Sequence, residues 1–401
     1  MPNGEISTFP GGNSPSYTEL IREFLSLGVA AFGGPAMVGM IRKRLVQQKR
    51  WVNEEYFKDG VSLAQMIPGA TALQVACFCG YTVRGLPGAL AAAISFIIPG
   101  FLLMLALTVL YFLYGTLPWM TPILGGLRAV IVGLMAWSTY TMGKSLCSVK
   151  KPETFLVVIA SFAGFALGLN YLAVVIGAGL LNLACKALLP DKTSPIPAVA
   201  LSNGTWRQSA MVWSSLAILL GFFALLRLWG SKLGELGHAL MRIDFLAVGG
   251  GWAALPMMEQ AFVINRHWLT QQQFIDGLVL GQLTPGPIVI TSTFIGYAVG
   301  GLLGATLATL AMFTPSFVMM TSFTCYLHRI KRNRLIGPIL AGAGLSLVGM
   351  LAHLTIKLYP AAITDYRTLG VALVSLVLLL FRVHIFYIIL GVLPVSFLLL
   401  R

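Results

Sequence analysis

From Gly85 to Leu127 the chain carries no Asp, Glu, Lys or Arg, and the same holds from Gly277 to Leu327. No soluble fold can cover its surface from runs like these. A bilayer can accept them, because about 20 apolar residues in a helix cross the hydrocarbon with every backbone group satisfied internally. Each run is long enough for more than one crossing. The whole chain agrees: 57% of its residues are hydrophobic and 10% charged, against roughly 25% charged in soluble domains. The expectation is an all-α polytopic membrane protein. Its net charge of +14 then belongs to cytoplasmic loops rather than to a nucleic-acid surface. Met1 to Tyr17, rich in Gly, Pro, Ser and Asn, reads as a short disordered tail and not as a cleavable signal. The five cysteines show no CxxC pattern, and no two histidines stand three or four residues apart. Neither a metal nor a cofactor is expected. An enzyme would need a nucleophile with its base, or a ligand set, inside the apolar segments, and none is visible there.

The chain is also a duplication. A shift of 217 residues places Gly33-Gly34 on Gly250-Gly251, Trp51 on Trp268, Asp59-Gly60 on Asp276-Gly277, Gln65 on Gln282 and Pro68-Gly69 on Pro285-Gly286. After a one-residue deletion the shift is 216, and Gly80-Tyr81, Gly85, Gly88-Ala89, Pro99 and Gly133 meet Gly296-Tyr297, Gly301, Gly304-Ala305, Pro315 and Gly349. Chance can align Leu and Ala, but not Gly, Pro, Trp, Asp and Gln in order. The expected layout is the tail over 1–17, a first repeat over 18–189, a polar linker over 190–207, an extra transmembrane helix over 208–230 and a second repeat over 231–401. Each repeat is expected to hold a glycine break, a Pro-Gly break, two long helices (88–114 and 121–143; 302–327 and 338–356) and a terminal helical hairpin.

The two copies distribute their charge oppositely among equivalent loops. Arg42, Lys43, Arg44, Lys49 and Arg50 follow the first glycine break, while only Glu259 and Arg266 follow the second; Arg329, Lys331, Arg332 and Arg334 fall where the first copy is uncharged. Under the positive-inside rule this reversal predicts inverted repeats related by a two-fold axis in the membrane plane. The scheme needs the Pro-Gly segment to dip in and return, and leaves about 9 to 13 spans.

The breaks are where chemistry is expected. Ile67, before Pro68, is pushed out of the α region, and Pro68 suits the first position of a new helix. The amides of Gly69, Ala70 and Thr71 would then point into the membrane interior. In the second copy Thr284 is expected as N-cap with Pro285 at the first helical position, ahead of Gly286. Open amides at a helix start attract anions, and two such starts can grip a tetrahedral oxyanion. Gln65, Thr71 and Gln74, with Gln282, Thr284, Thr291 and Ser292, add hydrogen bonds without net charge. Gly33, Gly34, Gly250 and Gly251 allow backbones to approach. Arg128 either snorkels or lines the anion path; Glu259 is either a solvated loop residue or the carrier of a coupling proton.

Phe32-Gly33-Gly34-Pro35, the Trp51 loop, Gln65-x-x-Pro68-Gly69, Gln74 and Gly85-x-x-Gly88-Ala89, together with Gly249-Gly250-Gly251-Trp252 and Gln282-Leu283-Thr284-Pro285-Gly286-Pro287, resemble the two signatures of the chromate ion transporter family. The resemblance runs from about residue 20 to the C-terminus. It implies a multi-pass inner-membrane protein of antiparallel modules that exports chromate, or a mimic such as sulfate; the paired broken helices add the expectation of alternating access between the modules. An oxyanion channel is the rival. The implied partners are a small oxyanion and the lipid bilayer, with no nucleic acid; a homodimer is compatible with the reading. The first copy departs from the family in having Ala70 where a second proline is common, and Val38 where a histidine is common.

Overall fold

The computed structural model describes residues 15–30, 35–115, 117–118, 120–147, 151–188, 206–228, 230–324 and 336–399. Most of the expected tail and linker, Gly33-Gly34, and the basic loop from Arg329 to Arg334 lie outside them. Among the described residues there are fifteen α-helices and no strand. The first copy contains α1 (Tyr17–Ala30), α2 (Pro35–Ile41) running into a π-helical turn (Arg42–Gln48), α3 (Glu54–Met66), α4 (Thr71–Tyr114), α5 (Met120–Leu146), α6 (Glu153–Ala166) and α7 (Tyr171–Leu188). The extra helix is α8 (Trp206–Leu228). The second copy repeats the series as α9 (Lys232–Leu246), α10 (Gly251–Glu259) with a π-helical turn (Gln260–Ile264), α11 (Gln271–Leu283), α12 (Thr291–Thr324), α13 (Ile336–Ala362), α14 (Tyr366–Leu380) and α15 (Ile385–Leu399).

The duplication extends to backbone angles. Ile67 and Thr284 both sit at φ −92°, ψ 144°, the extended conformation that a following proline imposes. Gly69 (φ +117°) and Gly286 (φ +113°) follow, in a region that side chains rarely enter. Equivalent residues also cap α3 and α11: the Asn53 side chain accepts the Glu55 amide, and Thr270 forms a capping box with Gln273.

Each Pro-Gly segment turns back. In the first copy Gly60 of α3 lies against the Phe78 ring of α4, and the Tyr56 and Phe78 rings are 5.0 Å apart. A straight passage through the break would separate residues 60 and 78 by about 27 Å at 1.5 Å per residue. Gly277 meets Phe294 in the same way. The chain then reverses again. Arg84-Gly85 and Gly300-Gly301 have non-helical angles, and a Cβ at Gly80 would lie 2.5 Å from the Gly88 carbonyl oxygen and 2.7 Å from the Ala92 methyl. The long helix expected from residue 88 is thus the second arm of α4, joined by a tight turn to a first arm over 71–83. The first arm rises about 20 Å in the first copy and about 14 Å in the second, too short to span, so each break forms the tip of a re-entrant hairpin.

Among the described residues, four helical stretches are long and apolar enough to cross a membrane by themselves: Thr71–Tyr114, Met120–Leu146, Ile288–Thr324 and Ala341–Ala362. Along the second arm of α4, Leu86, Leu90, Ile94, Ile98 and Leu102 recur every fourth residue and all are exposed. A continuous apolar stripe of that length faces lipid.

The copies interlock through glycines. Gly133 of α5 packs on Ala372 and Ser375 of α14; its equivalent, Gly349 of α13, packs on Val158 and Ser161 of α6. Gly126 faces Ser396 of α15, and its equivalent Gly342 faces Asn182 of α7. Each terminal hairpin therefore covers the long helix of the other copy. Between the long helices, Gly143 contacts Val348 and Gly344 contacts Leu146.

Candidate functional site

Both tips reach the middle of the other copy's long helix. Pro285 and Gly286 lie against Gly100, where a Cβ would overlap the Pro285 carbonyl oxygen. At the equivalent place in the other copy Gly69 lies against Ser316. Gly100 sits about 22 Å along an arm that rises some 43 Å, and Ser316 about 22 Å along one that rises some 34 Å, so each tip is seated well inside the other copy's arm.

At the first tip the freed backbone groups are satisfied by protein. The Gly69 amide donates to the Ala247 carbonyl (2.9 Å) and the Ala70 amide to Ser316 Oγ (2.7 Å). Ser316 in turn donates from Oγ (2.7 Å) and from its amide (2.8 Å) to Asp244 Oδ2. Gln74 Nε2 donates to the Pro68 carbonyl (2.5 Å), while its buried Oε1 has no partner. These bonds correct the expectation for this segment. The helix starts at Thr71 rather than Pro68, and the amides of Gly69 and Ala70 are spent on holding the tip. The amides without an intrahelical acceptor are those of the first turn, Thr71 to Leu73.

The second tip differs likewise from expectation. Thr284 ends α11 instead of starting a helix; its hydroxyl donates back to Gly281 (2.9 Å). Regular helix resumes only at Thr291, after a 3-10 turn over Ile288–Ile290. Thr291 donates to the Ile288 carbonyl, and Ser292 is fully buried with an unpartnered hydroxyl. Both stand in the core, as does Gln74.

A cavity of about 370 Å³ opens between the first tip and the second copy's glycine break. Gln65 of α3, Ala70 and Thr71 at the start of α4, Gly250 and Gly251, and Pro287 beside the second tip form its polar and backbone walls. Val38 also lines it. Gly250, at φ +97°, comes so close that a Cβ would sit 3.0 Å from Thr71 Oγ1. The cavity has the size of a small-molecule site, roughly 300–1,000 Å³, and none of the residues lining it is charged. Gln282 is half-buried and outside its wall.

Two further expected residues are placed elsewhere. Arg128 makes a two-point ion pair with Asp276, from Nε to Oδ1 (2.6 Å) and from Nη2 to Oδ2 (2.8 Å), and Tyr111 donates to Oδ2 (2.8 Å). Asp276 is fully buried and the Arg128 side chain 17% exposed. Glu259 is no solvated loop residue. It ends α10, is buried, and binds Lys357 at 2.9 Å. The residues that sequence reasoning missed are Asp244, Ser316, Tyr111 and the role of Asp276. One signal was present. Ala70, Asp244 and Ser316 align with Pro287, Leu27 and Gly100, so the two copies differ at three positions that meet in space.

Comparison with known proteins agrees with the duplication. The family model described as Chromate transporter matches residues 18–183 and again 234–397. An uncharacterized transporter of Methanocaldococcus jannaschii is 34% identical over 97% of this chain and 96% of its own length. Chromate transport proteins of Cupriavidus metallidurans and Pseudomonas aeruginosa are 31% and 30% identical, over 92% and 86% of this chain and 89% and 81% of theirs. No solved structure matches the chain.

Proposed function

Since the chain belongs to the chromate transporter family, we propose that it carries chromate out of the cell across the plasma membrane, binding the dianion in the cavity beside the first tip. The observation that carries this reading is the wall of that cavity. It combines a helix start, a hydroxyl, an amide side chain and bare glycine backbone with no fixed charge. The partial positive charge of a helix N-terminus favours an anion, and hydrogen bonds to Thr71 and Gln65 add to it. Without a lysine or arginine in the wall, the ion is not held too tightly to leave. Relatives named chromate transport proteins, aligned over most of both chains, supply the substrate.

Alternating access between inverted modules is the mechanism we infer. Four contacts favour it. Gly143 meets Val348 while Leu146 meets Gly344, so α5 and its counterpart α13 run in opposite directions. The end of the second arm of α4 agrees: Phe112 packs on Phe294 and Tyr297, just before the turn of α12. Export follows from charge. An inside-negative potential drives a dianion outward by about 4.6 kcal/mol per 100 mV, on the order of three decades of concentration.

The test is chromate flux in proteoliposomes under an imposed potential, with sulfate as competitor. Saturable movement of chromate toward the positive side is expected. A hydrogen bond to a charged ligand is worth about 1.5–3 kcal/mol, so Gln65→Ala and Thr71→Val should each lower flux by roughly 10- to 100-fold. Flux that rises linearly with concentration would make the protein a channel. Absence of chromate flux, or variants that carry it unchanged, would overturn the assignment of this cavity.

A further inference from the structure

The two tips are packed alike but held by different chemistry. Pro287 has no amide hydrogen, and the residues in the places of Asp244 and Ser316 are the apolar Leu27 and Gly100. Ala70 does have an amide hydrogen, and there a serine and an aspartate are present. Asp244 is 1% exposed. Its Oδ2 takes both bonds from Ser316, while Oδ1 is buried with no hydrogen-bond partner. Asp244 stands near the end of α9, three residues before the carbonyl of Ala247 that holds Gly69 and six before the cavity wall at Gly250.

We propose that Asp244 is a proton-binding site of the transporter: Oδ1 takes up one proton, and the charge of the carboxyl sets how firmly Ser316 holds the first tip. This rests on the transport reading above. The chemistry is a single balanced step. A hydronium ion gives its proton to Oδ1, an O–H bond forms, the carboxyl passes from charge −1 to neutral, and water is released. A buried carboxylate without a counter-charge is costly, and neutralising it removes that cost. A neutral carboxyl is also the weaker acceptor, so the chain from Ala70 through Ser316 to Asp244 slackens on protonation. The second tip, with no such groups, does not respond.

Among the described residues no charged side chain forms an ion pair with Asp244, although several titratable groups stand around its helix: Tyr171 and Arg266 line a cavity together with His238 and Arg242 of α9, and Arg266 pairs with Glu235. Helix α12 has no charged residue along its length, and the second arm of α4 has none. Helix α8 brings Arg227 beside the Gly237 level of α9, where Leu226 packs, about 10 Å in helix rise from Asp244. Helix α10 carries Glu259, which is bound to Lys357. On α9 itself stand Lys232, Glu235, His238 and Arg242; among the described residues none forms an ion pair with Asp244. The groups that act on the carboxyl are the Ser316 hydroxyl and amide and the Ala70 amide.

The experiment uses the full chain in proteoliposomes, with equal pH on both sides and chromate as probe. Two variants are compared with the parent: Asp244→Asn, and the triple Ala70→Pro, Asp244→Leu, Ser316→Gly, which installs the second tip's own packing at the first. Parent flux should vary by up to about tenfold per pH unit along one limb, the slope of a one-proton site, and both variants should be flat over that range. In parallel, infrared difference spectra on acidification should show the carbonyl band of a protonated carboxyl in the parent and lose it in Asp244→Asn. A parent with flat flux and no such band, or a pH profile and band that survive in both variants, would overturn the proposal. A parent that carries no chromate at any pH defeats the transport reading instead, and the infrared band still decides whether Asp244 binds a proton.

Discussion

The Arg128–Asp276 pair links the two copies, and its removal has a calculable cost. In Arg128→Leu the Asp276 carboxylate, fully buried, keeps only the Tyr111 hydroxyl. Removing one partner of a buried pair costs about 3–5 kcal/mol, roughly two to three and a half decades in the folded population. Replacing the whole cluster has a different outcome, because apolar residues of similar volume are often neutral or stabilising in place of a buried ion pair. Arg128→Leu with Asp276→Leu would still leave the Tyr111 hydroxyl unpaired at about 1–3 kcal/mol, so Tyr111→Phe completes the set. Unfolding in detergent can be followed by the reaction of Cys77 and Cys79, both fully buried, with a thiol-reactive dye. The expected order of midpoints places the parent and triple variant together and the single variant far below. A single variant as stable as the parent, or a triple variant no better than the single, would refute the reasoning. Chromate flux adds a second decision. A stable triple variant that still carries chromate removes Arg128 from the anion's route, and a stable but inactive one returns it there.

Two more outcomes are expected. Gly100→Ala sets a methyl against the Pro285 carbonyl, a clash with backbone that no rotamer relieves. It should destabilise by about 1–3 kcal/mol and lower flux, whereas Gly177→Ala, with open space around it, should not destabilise in the same dye assay. Glu259→Gln should lower the unfolding midpoint by breaking the contact with Lys357, yet leave the pH profile of flux unchanged, since the proton is assigned to Asp244.

The repeat, the helical class and the location of the breaks were legible because Gly and Pro act through the backbone. Ile67 is extended because Pro68 follows it, and that rule needs no tertiary information. The destination of the freed amides was not legible. A helix start was expected to offer Gly69 and Ala70 to a ligand, but Ala247 and Ser316, far away in sequence, take them. Thr284 shows the same limit: its hydroxyl could cap forward or bond backward, and packing at the second tip chose Gly281. Arg128 stood alone in the chain because its partner lies 148 residues away. In the sequence Asp276 stands out only as a landmark of the repeat. Asp244 was hidden for a related reason, since its meaning appears only when Leu27 is found in the same place at the other tip.

The exchange of terminal hairpins between the copies also bears on how the protein is made. When the ribosome has completed α7, the glycine face of α5 around Gly126 and Gly133 still lacks its cover, because α14 and α15 are made only after the second copy's long helices. The first half locks only when both of those helices have been inserted. Maturation is therefore a single late event. Truncation within the final two helices would loosen the earliest-made half as much as the part that carries the lesion.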